Sequence, residues 1–224
     1  RLVGSEMCIR DRDITITTDS EEAKKVFLEA MNNFETQGNR EERRTLLNQA
    51  LTLDPDFLLA KAALYSFVGT EFNNSVLKSV YEERDKVSDM EAKIIEFFYN
   101  RRTNNDPEIA SYNITMLTDE FPELWRLWYW SGHTKSRNFS EIYEAIDDLE
   151  TALEINPNHF GTKCELITKH LQVGGFGFQL PSEEIDLDYL KTMVYDLEKT
   201  NPDLGFTYII CLLYTSDAAD ELCS

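Results

Sequence analysis

The chain has 224 residues, of which 42% are hydrophobic and 28% are charged, and its formal net charge at pH 7 is −19. This length and hydrophobic content suffice for a folded domain with its own core. No apolar run approaches the roughly 20 residues that a membrane-spanning helix needs. The negative charge argues against nucleic acid or an anionic membrane as a partner, because binding to phosphates requires a cationic face.

The two ends of the chain do not read as native protein. Leu2–Arg12 and Cys211–Glu221 resemble translations of a transposon-type sequencing adapter. The DNA sequence ATGTGTATAAGAGACAG encodes Met7–Asp11 and the first two bases of an arginine codon, and its reverse complement encodes Cys211–Thr215. Unrelated termini of one natural protein are not expected to be reverse complements of each other.

We therefore expect residues 1–12 to be a disordered artefact, 211–224 to be a second artefact, and 13–210 to be a domain truncated at both ends. Three basic and five acidic residues lie in these ends, so the remaining domain still carries a net charge of −17. Cys164 is the one cysteine of the four inside that domain, so the sequence predicts no internal disulfide framework. The sequence is compatible with either an exported or a cytoplasmic location.

Within the domain, the first predicted element is a helix that follows an alternating, extended lead-in, Asp13–Thr18. Thr18 and Glu21 have the spacing of a capping box at the start of this helix. Apolar residues then recur at helical spacing and form one face, namely Ala23, Phe27, Ala30, Met31 and Phe34. A second helix ends at Asp54-Pro55, since proline lacks a backbone donor and disfavours helix in the residue before it.

This proline corner recurs along the chain. Prolines follow predicted helices at four positions, which are Pro55, Pro122, Pro157 and Pro202. The long first gap has Val87-Ser88-Asp89 where a further corner is expected. The residues five and eight positions before each proline are all apolar and predict one buried stripe per corner: Leu47, Ala50, Ile114, Leu117, Leu149, Ala152, Val194 and Leu197.

The segments ALTLDPDFLLAKAALY at 50–65 and ALEINPNHFGTKCELI at 152–167 are two copies of one helix–corner–helix unit. With a period near 34 residues, the stretch Asp19–Asn201 resembles the tetratricopeptide repeat family. The opening of this stretch is similar to a group of bacterial tetratricopeptide proteins, many of which are exported. The resemblance implies an all-α, right-handed solenoid of about five helical hairpins, at about 20–53, 57–87, 89–120, 123–155 and 159–200.

The resemblance also assigns roles to single positions. It places small residues where hairpins approach closely, at Ala50, Ala110, Ala145 and Ala152, and it matches Trp128 and Gly132 to the aromatic and small sites of a first helix. The chain departs from the family pattern at Arg43, where a small residue is usual, and at Met31, where glycine is usual.

No motif in the sequence predicts catalysis or a cofactor. It contains no G-x-S-x-G, no phosphate-binding glycine loop that ends in Lys-Ser/Thr, and no H-E-x-x-H. His159, Cys164 and His170 are residue types that bind zinc, but their spacing puts them on different faces of a helix. We therefore predict a non-enzymatic chain without a metal or cofactor.

The tetratricopeptide resemblance implies that the first helix of each hairpin lines a concave groove. It points to a cationic and aromatic set of candidate peptide-binding residues, which are Tyr99, Arg102, Arg126, Tyr129, His133 and Arg137. Arginine with tyrosine suits an acidic or C-terminal peptide segment, through paired donors and stacking. The favoured alternative is that these are arginines scattered over the surface without a binding role. The carboxylate clamp of the family is not reproduced, because Asn32 is present but Leu28 stands where a lysine belongs.

The aromatic run Trp125–Trp130 lies in the same region and has two interpretations. Packing between the third and fourth hairpins is favoured, and an aromatic patch on the inner surface is the alternative. The sequence as a whole predicts a non-catalytic scaffold that binds a protein or peptide segment in its concave groove. The alternative is a regulatory or sensory segment of a longer enzyme or transcription regulator.

Overall fold

The computed structural model describes residues 13–36, 38–68, 74–103, 106–137, 139–171 and 186–200. Both predicted artefact ends, Pro202 and the glycine-rich segment after residue 171 lie outside the described residues. Every regular element within the described residues is helical, which confirms the predicted all-α class.

The helices follow one another with short connections. In chain order they are α1 Glu21–Glu35, α2 Arg40–Leu53, α3 Leu58–Ala63, α4 Asn74–Glu82, α5 Asp89–Thr103, α6 Pro107–Glu120, α7 Trp125–Lys135, α8 Ile142–Ile155, α9 Phe160–Leu171 and α10 Leu187–Thr200. A π-helical turn, Leu64–Val68, continues α3, and short 3₁₀ turns lie at Arg84–Lys86 and Phe139–Glu141. The pairs α1 with α2, α6 with α7, and α7 with α8 make the broadest packing contacts, while α5 packs on α3 and α4.

The lead-in to α1 differs in one detail from the sequence prediction. Asp13–Thr18 is extended and buries Ile14 and Ile16. The predicted Thr18 capping box is wrong, because the Thr18 hydroxyl donates to Asp54 Oδ2 at 2.5 Å. Ser20 is the N-cap of α1 instead, and its Oγ accepts from the Ala23 amide at 3.1 Å.

Three proline corners have the same hydrogen-bond geometry. At each corner the amide of the residue before the proline donates to the carbonyl four residues earlier in the helix. The amide of the second residue after the proline donates to the carbonyl of the residue before the proline. The first bond joins Asp54 to Ala50 at 2.9 Å, Phe121 to Leu117 at 3.0 Å and Asn156 to Ala152 at 2.9 Å. The second joins Phe57 to Asp54, Leu124 to Phe121 and His159 to Asn156, at 3.1–3.3 Å. The recurring sequence pattern thus corresponds to a recurring backbone structure.

The corner without proline uses side chains to begin the next helix. Ser88 Oγ accepts from the Glu91 amide at 3.3 Å, and Glu91 Oε2 accepts from the Ser88 amide at 3.4 Å and from the Ser88 hydroxyl at 2.8 Å. This is the reciprocal pattern of a capping box. Glu91 is fully buried and also accepts the Thr17 amide at 2.7 Å, which joins the lead-in to α5.

The stripe positions before the corners are buried. All of the following are at most 5% exposed: Leu47, Ala50, Ala110, Ile114, Leu117, Ala145, Leu149, Ala152, Val194 and Leu197. Trp128 is half-buried, and its indole N–H donates to the Pro122 carbonyl at 2.8 Å. Pro55, Pro122 and Pro157 lie in the turns between helices.

The described residues divide into two compact units at Gly161. The unit that begins at Thr162 contains the rest of α9 and α10. It buries Leu166 and Ile167 of α9 and Leu190, Val194 and Leu197 of α10. Lys163 forms an ion pair with Asp196, which joins its two helices. Burial raises the pKa of the Cys164 thiol to about 12, so this cysteine is a poor nucleophile at neutral pH.

The helices α7 and α8 approach each other closely at Gly132. A Cβ at this position would lie 2.5 Å from Leu149 Cγ and 2.8 Å from the Ala145 carbonyl oxygen. Beside this contact, Asp148 of α8 accepts from Ser131 at 2.6 Å and from the Lys135 ammonium at 2.7 Å. The helices α7 and α8 are therefore held together by a close apolar contact at Gly132 and by the buried hydrogen bond and ion pair of Asp148.

Replacing Gly132 by alanine should destabilise the fold. Alanine in an exposed helix is more favourable than glycine by roughly 1 kcal/mol, but the added methyl group overlaps α8, which costs about 1–3 kcal/mol. Urea unfolding of Gly132→Ala should show a lower midpoint than the wild type. The control Gln49→Ala changes an exposed position of α2 and should leave the midpoint nearly unchanged. A more stable Gly132→Ala variant would contradict the close approach.

Candidate functional site

The last residue of α1 is the centre of a buried charge cluster. Glu35 is fully buried, and its Oε1 forms an ion pair with the guanidinium of Arg126, which is 5% exposed. Arg126 also donates from Nε and Nη2 to the two carboxylate oxygens of Asp13, at 2.7 and 3.0 Å. This second contact is the bidentate arrangement in which arginine–carboxylate bonds are strongest.

Other groups from α7 and the start of α9 surround Glu35. The Tyr129 hydroxyl donates to the Glu35 carbonyl at 3.0 Å, and His159 Nε2 lies 3.5 Å from Glu35 Oε2. A Cβ at Gly161 would overlap the Glu35 carbonyl, so the backbones of α1 and α9 meet there. Side chains far apart in sequence thus hold the end of α1 against the starts of α7 and α9.

Asp13 and Arg126 stabilise each other's charged forms. Burial alone would raise the pKa of Asp13, but the charge and hydrogen bonds of Arg126 outweigh it and hold that pKa below its ordinary value. Burial alone would lower the pKa of the Arg126 guanidinium, but the charges of Glu35 and Asp13 raise it. Both partners are therefore ionised at neutral pH.

Removing one partner of this cluster should be costly. Arg126→Met leaves the Glu35 carboxylate buried without its cation, and breaking a buried pair in this way costs about 3–5 kcal/mol. Denaturant unfolding should show this loss for Arg126→Met. The control Arg44→Met removes an exposed ion pair with Glu41 and should cost no more than about 1 kcal/mol. Equal losses in the two variants would contradict the structural role of Arg126.

Asp13 should make the stability of the fold depend on pH. Because its folded pKa is below the ordinary value of 3.8, its contribution is present above that value and is lost as the pH falls through the folded pKa. The difference in unfolding free energy between wild type and Asp13→Asn should therefore be constant well above pH 3.8 and shrink as the pH is lowered from 3.8 through the folded pKa. A difference that stays constant over this range would contradict the ion pair with Arg126.

A row of aromatic rings joins α1, the π-helical turn after α3, α5 and α7. Phe34 of α1 lies 4.3 Å from Phe67, Phe67 lies 4.8 Å from Phe98 of α5, and Phe98 lies 5.4 Å from Trp130 of α7, all between ring centroids. His133 of α7 packs edge-on against Phe34 at 5.2 Å. These rings therefore pack in the space between the four elements.

A cavity of about 510 Å³ opens beside this aromatic row. Its described lining comes from the C-terminal ends of α1, α5 and α7, from the π-helical turn after α3, and from the start of α2. The lining residues are Phe34, Gly38, Arg40, Arg43, Ser66, Phe67, Arg101, Arg102, His133 and Arg137. Five of these are arginines and none carries a carboxylate, although the chain as a whole is acidic.

Two of the guanidinium groups stack on rings of the aromatic row. The Arg43 guanidinium is 5.0 Å from the Phe34 ring centroid, and that of Arg101 is 5.1 Å from the centroid of Phe67. Stacking of this kind fixes the planes of guanidinium groups. Arg43 also donates to the carbonyls of Asn33 and Gly38 at 3.4 and 3.3 Å.

The charges in the cavity repel one another. Burial, together with the neighbouring charges of Arg137 and Arg102, lowers the pKa of Arg101 to about 9, which still leaves it protonated at neutral pH. Burial and the charge of Arg40 lower the pKa of Arg43. Within the described residues, Arg43, Arg101 and Arg137 form no ion pair with a carboxylate.

The partial negative charges of helix C-termini offset part of the positive charge of the arginines. The C-terminus of a helix carries roughly half a negative charge, which favours a nearby cation. The cavity has three such ends, of α1, α5 and α7, and one helix N-terminus, of α2, which together supply about −1 by that measure. Five arginines line the cavity, so the helix ends offset only part of their positive charge.

The structure brings together three of the six predicted groove residues. Arg102, His133 and Arg137 line the cavity, where Arg137 Nη2 lies 3.4 Å from His133 Nε2. Arg126 and Tyr129 are instead buried around Glu35. Tyr99 stacks on Tyr81 of α4, with ring centroids 4.4 Å apart. A peptide-binding role for any of the six residues stays a prediction.

Several residues of the site were not among the predicted site residues. Arg43 was noted only as a departure from the family pattern, and Glu35 was not noted at all. Both could have been detected, since Arg43 is in helical phase with Leu47 and Ala50, and Glu35 with Phe27 and Met31. A charged residue in phase with a buried stripe indicates a buried ionic contact. Arg101 and Phe67 gave no such signal, because their proximity depends on how α3 and α5 pack.

The aromatic run lies mainly in the core. Trp125, Tyr129 and Trp130 are at most 4% exposed, and the Arg126 guanidinium lies 4.4 Å from the Trp125 ring centroid. Within the part of the chain that the structure describes, no helix is both long and apolar enough to span a membrane. That part also contains no group of three or more potential metal ligands in a suitable arrangement.

In comparisons with known proteins, no protein-family model, no curated protein and no solved structure matches the chain.

Proposed function

We propose that the protein is a non-catalytic binding module that holds an acidic segment of a partner protein in the arginine-lined cavity. The observation that carries this proposal is the concentration of five arginines around one cavity in a chain with a net charge of −19. A cationic site of this kind attracts acidic groups and repels basic ones.

The chemistry of the cavity suits a peptide. Guanidinium groups bind carboxylates through paired donors, and Phe34 and Phe67 provide an apolar wall for the rest of a side chain. Arg101 and Arg102 from α5 and Arg137 after α7 reach the cavity from different helices. A bound segment could therefore contact several helices at once.

The proposal includes the repeat type. We infer that the hairpins are tetratricopeptide-like units and that the cavity lies on the side formed by their first helices. Support comes from the identical hydrogen bonding of the three proline corners and from the close approach at Gly132. In this interpretation the aromatic row occupies part of the predicted groove and leaves a cavity in place of an open channel.

Charge reversal at the cavity tests the proposal. A short labelled peptide of alternating glutamate and serine should bind the wild type, whereas the matched lysine and serine peptide should not. Replacing Arg101 and Arg137 together by glutamate should lower the affinity for the acidic peptide by at least about tenfold. Fluorescence anisotropy measures each affinity, and circular dichroism checks that the variants are folded.

The control changes the net charge equally but away from the cavity. Arg44 on α2 and Lys25 on α1 are exposed and do not line the cavity, so Arg44→Glu with Lys25→Glu should leave most of the affinity intact. Equal losses in both double variants would show that the overall field of the protein, and not the cavity, attracts the peptide. Unchanged binding by the cavity variant would also reject the proposal.

A further inference from the structure

The cavity contains more concentrated positive charge than one carboxylate can neutralise. Arg43, Arg101 and Arg137 line it without forming an ion pair with any carboxylate among the described residues. Three helix C-termini and one helix N-terminus together offset about one of these three charges by the half-charge measure, which leaves a surplus of about two. A carboxylate supplies one negative charge, whereas a phosphoryl group supplies nearly two at neutral pH.

The donors in the cavity are also arranged for a group with several acceptor oxygens. Arg43 is 7% exposed, its Nε is buried, and that Nε has no hydrogen-bond partner among the described residues. Burying an unpaired donor costs free energy, which a ligand oxygen at that position would recover. Phosphoryl oxygens accept pairs of hydrogen bonds from guanidinium groups. The guanidinium groups of Arg43 and Arg101 stack on Phe34 and Phe67, which fixes their orientation before a ligand binds.

One wall of the cavity is a π-helical turn, which is an uncommon backbone conformation. Ser66 and Phe67 belong to the π-helical turn Leu64–Val68, and both line the cavity. Such turns are rare and frequently occur at functional sites. The Ser66 hydroxyl, 3.4 Å from the Phe98 carbonyl, adds a short polar side chain to the described lining.

We propose that the arginine-lined cavity is a receptor for a dianionic phosphoryl group, carried on a side chain of the bound segment. The identification of a peptide as the carrier rests on the proposed function, and the phosphoryl chemistry rests on the charge and donors of the cavity. The negative charge of the rest of the chain does not prevent this binding, because salt screens it beyond about 8–10 Å.

The direct test compares three peptides of one sequence that differ at a central position, which is phosphoserine, glutamate or serine. Isothermal titration calorimetry with the whole chain should give an affinity for the phosphoserine peptide about tenfold above that for the glutamate peptide. The serine peptide should bind more weakly than either. Inorganic pyrophosphate should compete with the phosphoserine peptide, whereas acetate at equal ionic strength should not.

Replacing single arginines of the cavity by neutral glutamine tests whether the phosphoserine peptide binds there. Arg101→Gln and Arg137→Gln should each lower the affinity for the phosphoserine peptide by at least about fivefold and bring it closer to that for the glutamate peptide. Arg44→Gln is the matched control on an exposed face of α2 and should change neither affinity. Thermal unfolding without ligand shows whether each variant is folded.

The outcomes separate this inference from the proposed function. Equal binding of the phosphoserine and glutamate peptides, with loss in Arg101→Gln, would reject the phosphoryl group and keep a site for acidic segments. Direct binding of pyrophosphate, lost in Arg101→Gln, with no binding of any peptide would reject the peptide function and keep the phosphoryl site. Absence of phosphoserine-peptide and pyrophosphate binding, or an equal loss in Arg44→Gln, would overturn the phosphoryl site.

Discussion

The structure up to Gly161 depends on the neutralisation of one buried carboxylate. Glu35 ends α1 with no exposed surface, at the helix end where a negative charge is least favourable. Arg126 supplies the matching cation and is itself held by Asp13. Because a buried charge is tolerated only when it is paired, the end of α1 has to stay beside the start of α7. The lead-in, α1 and α7 are thereby fixed together.

The aromatic row begins next to this ion pair, at Phe34. With Glu35 beside Arg126, the adjacent residue Phe34 packs against Phe67 and His133, and the aromatic row closes much of the space between the helices. What remains open is the cavity at the helix C-termini, where cations are favoured by the helix dipoles. The buried ion pair and the cavity therefore lie next to each other at the end of α1, and the arginines account for the chemistry of the cavity.

Local signals in the sequence predicted the helices well. Proline and its neighbours fix the corners at Pro55, Pro122 and Pro157 through backbone chemistry that acts within a few residues, so the hairpin limits could be read directly. The N-cap at Ser20 was misassigned because Thr18 finds a distant acceptor, Asp54, which a local pattern does not reveal. The site was predicted only in part, since the partners of Arg126 are separated from it by about a hundred residues. Contacts of that range depend on packing between hairpins, which periodicity does not encode.

A crystal structure of the protein with the phosphoserine peptide would show directly where the phosphoryl group binds. We expect the phosphoryl group in the cavity, with oxygens about 2.7–2.9 Å from guanidinium nitrogens of Arg43, Arg101 or Arg137. We also expect the ion pair between Glu35 and Arg126 to be unchanged by binding. A peptide bound elsewhere, or a bound phosphoryl group paired with Arg126 in place of Glu35, would contradict the proposed site.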